Sequence, residues 1–422
     1  MKKKLLLLTV ITLLLVSVGI ITASGQEEAS AGSAEVVFWN GYTGPDRPVV
    51  EFLVDQFNAE NADTDIAMEI MPWDSLFQKL MPALVAGNGP DLMGFSLSRV
   101  PEFADANRLE PLDAYLDAST LLDKADLVPG MIQGASYGGK LYGVPMAFAS
   151  MVMYYNKEHF REAGLDPENP PANYTELLQA WGKLLVKDSN GNVVRYPQSI
   201  GVKATVPMMP VFFWAAGAEI VTADGKSGLD SPEALAAAEL IQRAFVDMSV
   251  SPLGLTGQES DNVFAAGKAS MEWNGPWAIN GFTNAGIDLG IALLPAGPAG
   301  RVTWGGDTAM VMNKDSKVKD AAWSFMEYWN SYDNQQYWAK TTAFPPTRVD
   351  MTADAELLKN ENLTYFIESA EFAKTYMAGQ TKAGQIEEEV MIPLYETITR
   401  GLKDAKTALA DAHVALNAIL QD

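Results

Sequence analysis

Five tryptophans, Trp39, Trp73, Trp273, Trp277 and Trp304, fall at the ends of strand-like runs, at helix starts or beside a glycine pair, in the company of Asn40, Asn274 and Asp307. A flat apolar ring covers the C–H face of a sugar, and Asn or Asp side chains beside it bind hydroxyl groups in pairs. The competing reading is that tryptophans fill cores. It holds for Trp323 and Trp329, which lie in a helical stretch that buries apolar residues. For the strand-end set the two readings stand level, the pocket drawing its support from the mixture of aromatics with few polar groups that ligand sites favour.

Other chemistry is poorly supplied. Gly134-Ala135-Ser136-Tyr137-Gly138 has the form of a nucleophile elbow. Such a serine must stand between a strand and a helix, whereas here a further glycine and a strand follow, so the segment reads as a loop or hairpin turn. Asp188-Ser189-Asn190-Gly191-Asn192 lacks the ligand spacing and the bidentate Glu of a calcium loop. Gly225-Lys226-Ser227 lacks the earlier glycine of a phosphate-binding loop. Both read as turns. The two histidines, His159 and His413, have no partner at metal spacing and read as solvated residues. The absence of cysteine excludes disulfides, thiolate sites, a Cys nucleophile and a lipid-bearing N-terminal Cys. No metal and no cofactor are expected. Paired carboxylates could serve a glycosidase, and 53 Asp and Glu residues guarantee chance pairs.

Composition narrows the class further. At roughly 150 residues per domain, 422 residues suggest two or three domains. Hydrophobic residues make up 48% and charged residues 20%, enough to build large cores. A net charge of −23 excludes a nucleic-acid surface, which needs clustered positive charge. Lys2, Lys3 and Lys4 precede an apolar run from Leu5 to Ile21 that ends at Thr22-Ala23-Ser24-Gly25, the pattern of a secretory signal. At about 17 residues, the run is also at the lower limit for a membrane span. Cleavage after Gly25 would take the charge from −23 to −26. Residues 26–35 then read as a flexible leader, and an exported chain without a lipid anchor suits a periplasm.

The elements that must position the tryptophans alternate. Val36 to Trp39 is a strand, Pro45 opens a helix burying Val50, Leu53, Val54 and Phe57, and Ile66, Met68 and Ile70 mark a second strand. Asp74 caps the next helix, which carries Pro82 and stops at Gly87, and a strand through Phe95 follows. This alternation predicts a parallel α/β sheet with its ligand beyond the carboxyl ends of the strands, where Asn40, Gly41, Phe95 and Ser96 lie. Further strands are expected at Met151–Tyr155, at Ala269–Trp273 and at Val302–Met312, the last interrupted by Gly305-Gly306. Ser231-Pro232 starts a helix, and the stretch from Ala353 to Asp422 is helical nearly throughout.

An ordered series of short segments resembles the family 1 extracellular solute-binding proteins, the sugar receptors of ABC importers. It includes Phe52-Leu53-Val54-Asp55-Gln56-Phe57-Asn58-Ala59-Glu60-Asn61, Ala86-Gly87-Asn88-Gly89-Pro90-Asp91-Leu92 and Gly139-Lys140-Leu141-Tyr142-Gly143-Val144-Pro145. Tyr154-Tyr155-Asn156-Lys157, the segment from Ala265 to Trp277 (AAGKASMEWNGPW) and Phe344-Pro345-Pro346-Thr347-Arg348 continue it. Each is weak alone; their order is specific. The resemblance implies a two-lobe periplasmic-binding-protein fold of type II-like form, with α/β lobes joined by hinge crossovers. Lobe one would comprise residues 36–147 plus 300–345, and lobe two 148–299 plus 346–422.

The resemblance also implies a monomer that closes on its ligand and presents both lobes to a membrane permease. Cleft residues implied in the same way are Asn40, Trp73, Ser96, Trp214, Trp273, Asn274, Trp277, Gly305, Gly306, Asp307 and Tyr376, the glycines admitting backbone amides to the ligand. Asp307 stands where relatives binding phosphorylated glycerol would carry a small neutral residue. Lys374-Thr375-Tyr376-Met377 offers no arginine for a phosphate. A mono- or oligosaccharide, or a polyol, is therefore favoured over a glycerophosphodiester, and a carbohydrate receptor without catalysis over an exported glycan hydrolase.

Overall fold

The computed structural model describes residues 33–44, 46–203, 207–351 and 353–421. The signal expected at 1–25, most of the expected leader and Pro45 lie outside them. The leader ends earlier than expected, because Ala34 and Glu35 already pair with Thr64 and Asp65 in the first sheet.

Strand β1 (Ala34–Asn40), helix α1 (Arg47–Glu60), β2 (Thr64–Ile70), α2 (Trp73–Ala86) and β3 (Leu92–Ser96) wind as the alternation predicts, with β2 and β3 parallel to β1 on its two sides. Helix α1 buries Val50, Leu53, Val54 and Phe57. Helix α2 follows Pro72, so Asp74 sits within the first turn rather than at the cap, where its charge still complements the helix dipole. The helix ends at Gly87, whose φ of 74° suits a residue without a Cβ.

The chain then runs through β4 (Gly143–Ser150) and, one residue later, enters a second sheet as β5 (Val152–Asn156). Helices α3 (Met209–Ala216) and α4 (Pro232–Gln242) follow, the latter capped by the Ser231 hydroxyl. Helix α5 (Gly257–Ala265) opens on a reciprocal cap between Thr256 and Glu259 and leads into β6 (Met271–Asn274), α6 (Ala278–Asn284) and β7 (Leu289–Ala292). Strands β6 and β7 flank β5, both antiparallel to it.

Strand β8 (Thr303–Met312) returns to the first sheet, antiparallel to both β3 and β4. That sheet is therefore mixed, not wholly parallel. β8 also runs through Gly305 and Gly306 without the expected interruption. Helices α7 (Lys319–Trp329) and α8 (Tyr332–Thr342) cover the sheet. Phe325 meets Phe57 of α1 at 5.1 Å between ring centroids, and Trp329 donates to the Met146 carbonyl at 2.8 Å. Trp323 and Trp329 are core, as read. The tail is less uniformly helical than expected. After α9 (Glu361–Ala370) comes β9 (Ala373–Lys374), a short strand parallel to the start of β8, before the final helix α10 (Ala405–Gln421) packs on α4. The first sheet thus reads β9-β8-β3-β1-β2, with β4 also paired to β8.

Between the two sheets the crossing segments are tied together. The Met151 N–H donates to the Trp304 carbonyl at 3.2 Å, and the Thr303 hydroxyl returns a bond to the Met151 carbonyl at 2.8 Å. The Thr303 N–H reaches the Phe372 carbonyl at 3.0 Å, which brings the tail into the same bundle.

His159 corrects one expectation. It is buried, with Nδ1 3.2 Å from Ser270 Oγ. Burial, reinforced by the Arg195 charge, holds its pKa down at about 4. The Ser136 segment forms a small hairpin with Lys140–Leu141, as its sequence context requires. No described helix is long and apolar enough to cross a membrane.

Candidate functional site

A cavity of about 620 Å³ lies between the carboxyl ends of β1 and β3 on one side and α5, β6 and α6 on the other. Its first wall is made by the chain leaving β1, by the start of α2 and by Ser96. Trp73 stands there half-buried, packed so closely on Gly41 that a Cβ on that glycine would come within 2.0 Å of the indole Cδ2. Tyr42 meets the same indole edge-on at 5.6 Å, and Phe77 stacks behind it at 5.9 Å. The Tyr42 hydroxyl is hydrogen-bonded to Thr308 of β8.

The second wall repeats the device. Trp277, also half-buried, lies over Gly275, where a Cβ would stand 2.1 Å from Cζ3. Trp304 and Phe344 support its ring at 6.4 and 5.9 Å. Asn274 accepts from the Gly275 N–H at 2.8 Å, which fixes the turn carrying the indole.

Each wall also carries a carboxyl group. Asp46, at the start of α1, is buried with Oδ1 lacking any hydrogen-bond partner, and burial pushes its pKa up to about 6. Across the cavity, Asp261 of α5 accepts from Asn274 Nδ2 at 2.7 Å. Burial raises its pKa, while hydrogen bonds from Glu272 and Asn274 draw it back. Glu272, wholly buried behind it, is driven well above the carboxylate range by burial and by the Asp261 charge. Lys203 lies at the rim, paired with Glu396 at 2.7 Å. Among the described residues no group of three or more His, Cys, Asp or Glu could hold a metal ion.

Of the residues singled out in the sequence, Trp73, Ser96, Asn274, Trp277 and Trp304 come together on this cavity. Asn40 stands behind the wall, accepting from the Tyr42 N–H at 3.1 Å. Trp273 is buried and stacked on Phe212 at 4.9 Å, and Trp214 packs on the buried Tyr376 at 6.3 Å; none of the three lines the cavity. Gly305 and Gly306 lie in β8 opposite Ser150 and Ala149, and a Cβ on Gly305 would stand 2.2 Å from that of Ala373. Asp307 pairs with Phe148, next to the lining residue Thr308. Tyr42, Asp46, Lys203 and Asp261 were not anticipated. A short loop after a strand end, the sequence signal shared by Gly41 and Tyr42, could have pointed to the first of them.

A ligand-sized cleft between two α/β units joined by crossing strands defines a two-lobe solute-binding protein. The chain belongs to the bacterial extracellular solute-binding protein family, whose model matches residues 53–364. An ABC transporter solute-binding protein from Thermotoga lettingae, solved with α-D-tagatose bound, matches with a TM-score of 0.83 and 26% identity, over 92% of this chain and 100% of that one. The maltotriose-binding protein of Pyrococcus abyssi is 27% identical over 348 residues, 80% of this chain and 72% of the relative. The galactooligosaccharide-binding protein of Bacillus subtilis is 23% identical over 422 residues, 96% and 94% of the two chains.

Proposed function

We propose that this protein is the carbohydrate receptor of an ABC importer, taking a mono- or oligosaccharide, or a polyol, into the cleft and delivering it unchanged to a membrane permease. The observation that carries this reading is the pairing on each wall of a half-buried indole with a carboxyl group, Trp73 with Asp46 and Trp277 with Asp261. A sugar presents both an apolar C–H face and hydroxyl donors, and these four groups match the two. The unpartnered Oδ1 of Asp46 calls for a donor, which a ligand hydroxyl would supply. The sugars named for the three relatives support the same class.

Closure belongs to this proposal. A ligand touching both walls stabilises the closed form by its contacts to each, and the crossing segments at Met151 and Thr303 serve as the hinge. The lobes are then close to residues 36–147 plus 300–345 and 148–299 plus 346–422, with Ala34–Glu35, Phe148–Ser150 and Ala373–Lys374 joining the sheet of the first. Cleavage of the N-terminal signal, a periplasmic location and a monomeric state complete the proposal.

The test is the melting temperature of the chain from Gln26 onward against mono- and oligosaccharides, polyols and glycerol phosphates. A ligand at 100 times its Kd adds about 2.7 kcal/mol of stability. A rise with a sugar that is recovered intact supports the receptor. A rise with glycerol phosphates alone overturns the ligand class, and recovery of shortened oligosaccharide makes the protein a hydrolase.

A further inference from the structure

Strand β6 puts Glu272 and Asn274 on one face, because successive residues of a strand point to opposite sides. That face looks toward α5. The Glu272 carboxyl is wholly buried there, facing Tyr154 from β5, Ser260 and Asp261 from α5, and Asn274 from its own strand. The Tyr154 hydroxyl is committed to the Gly275 carbonyl at 2.7 Å. None of these groups carries a positive charge. Glu272 Oε2 receives no hydrogen bond, and Oε1 lies 3.5 Å from Asn274 Nδ2.

The Asp261 and Glu272 carboxyls converge on the same amide nitrogen, Asn274 Nδ2, at 2.7 and 3.5 Å, and two carboxyl groups placed so closely without a counter-charge are expected to share one proton rather than both ionise. We propose that Glu272 is a positioning residue that retains this proton and hydrogen-bonds through it to Asp261, holding the Asp261 carboxylate and the Asn274 amide in place for ligand hydroxyl groups, a role that rests on the carbohydrate reading of the cleft. Burial divides the pair in this sense. Glu272 has no path to solvent, whereas Asp261 lies on the cavity wall, where a charged oxygen is useful as an acceptor. Burial pushes the Glu272 pKa strongly upward, and it also raises that of Asp261, which hydrogen bonds from Glu272 and Asn274 partly offset, so the proton sits more firmly on Glu272. Loss of the proton would set a second negative charge against Asp261 and remove the donor that orients it.

The test compares the wild-type chain with Glu272→Gln, which keeps a donor but cannot titrate, and Glu272→Leu, which cannot donate. In the ligand-free protein at about pH 8.5, above the titration of Asp46 and Glu387, infrared spectra should show a protonated carboxylic acid band that Glu272→Gln lacks. With maltotriose and galactooligosaccharide as probes, wild-type affinity should fall from pH 5 to pH 9. Glu272→Gln should bind as the wild type does at the acid end and stay level, and Glu272→Leu should bind about ten-fold more weakly throughout. A missing band overturns the shared proton whatever the sugars do. Equal binding by the Leu and Gln variants overturns the positioning role while leaving the receptor intact. A band present with no sugar of a broad panel bound by the wild type overturns the carbohydrate reading, and the positioning role with it, but not the shared proton.

Discussion

The indole of Trp277 occupies the space that a side chain on Gly275 would need, 2.1 Å from an added Cβ to Cζ3. Trp73 stands in the same relation to Gly41, at 2.0 Å to Cδ2. Two rings on opposite walls are thus set by missing side chains in strand-end turns. A ring seated this way loses little freedom when a ligand stacks on it, which is the advantage of preorganisation.

Gly41→Ala and Gly275→Ala should each tilt one indole out of place. The expected result is a folded protein whose affinity for its sugar is about three- to ten-fold lower, accompanied by a changed tryptophan emission. Titration calorimetry and fluorescence together check it. Unaltered affinity in both variants would remove the indoles from the site.

Two buried acids make stability fall with rising pH. Burial pushes Asp46 from 3.8 up to about 6, and pushes Glu387 from 4.5 up to about 7 against the opposing Arg99 charge. A raised folded pKa contributes stability that is complete below the unfolded value and lost as pH climbs through the folded one. The melting temperature should therefore decline from pH 4.5 to pH 7. Asp46→Asn and Glu387→Gln should each flatten part of that decline, most visibly below pH 6 and pH 7 respectively. Parallel profiles for wild type and variants would contradict the burial of these groups.

His159 acts in the opposite direction. Its pKa is depressed to about 4 from 6.5, so its contribution is complete above 6.5 and is lost as pH falls toward 4. His159→Gln, which retains a group able to meet Ser270, should lessen acid sensitivity in that window. Urea unfolding at pH 4.5 and pH 7 measures the difference.

The crossing bundle should be intolerant of bulk at one point. A Cβ on Gly305 would stand 2.2 Å from that of Ala373, so Gly305→Ala must part β8 from β9. The expected cost is about 1–3 kcal/mol of stability, as for overpacking elsewhere. Thr303→Val, which removes the hydroxyl bond to the Met151 carbonyl, should cost about 1 kcal/mol. Urea titration distinguishes the two, and a Gly305→Ala variant as stable as the wild type would show that the bundle yields.

The first β-α-β-α-β unit was readable because its signals are local: alternation in β2, the apolar stripe of α1, the glycine after α2. The antiparallel entry of β8 beside β3 was not, since nothing near Thr303–Met312 encodes a partner strand so distant in sequence. The same limit governs the site. Trp73 and Trp277 announce themselves as aromatics at element boundaries, whereas Asp46 and Asp261 are two among 53 acids, distinguished only by what folds around them. Trp273 and Asn274 were grouped as neighbours although adjacent strand residues face opposite ways; that rule sends Trp273 to Phe212 and would have joined Asn274 to Glu272.

The place of β8 also governs how the molecule comes into being. Until Met312 has been synthesised, one edge of β3 has no strand beside it, so the first sheet cannot close while most of the chain is being made. Contacts between such distant segments slow folding, and an open strand edge invites association with other chains. The same order means that a product stopped anywhere before residue 303 lacks both β8 of the first sheet and the final helix that packs on α4, so neither wall of the cleft has its full support until the chain is nearly complete.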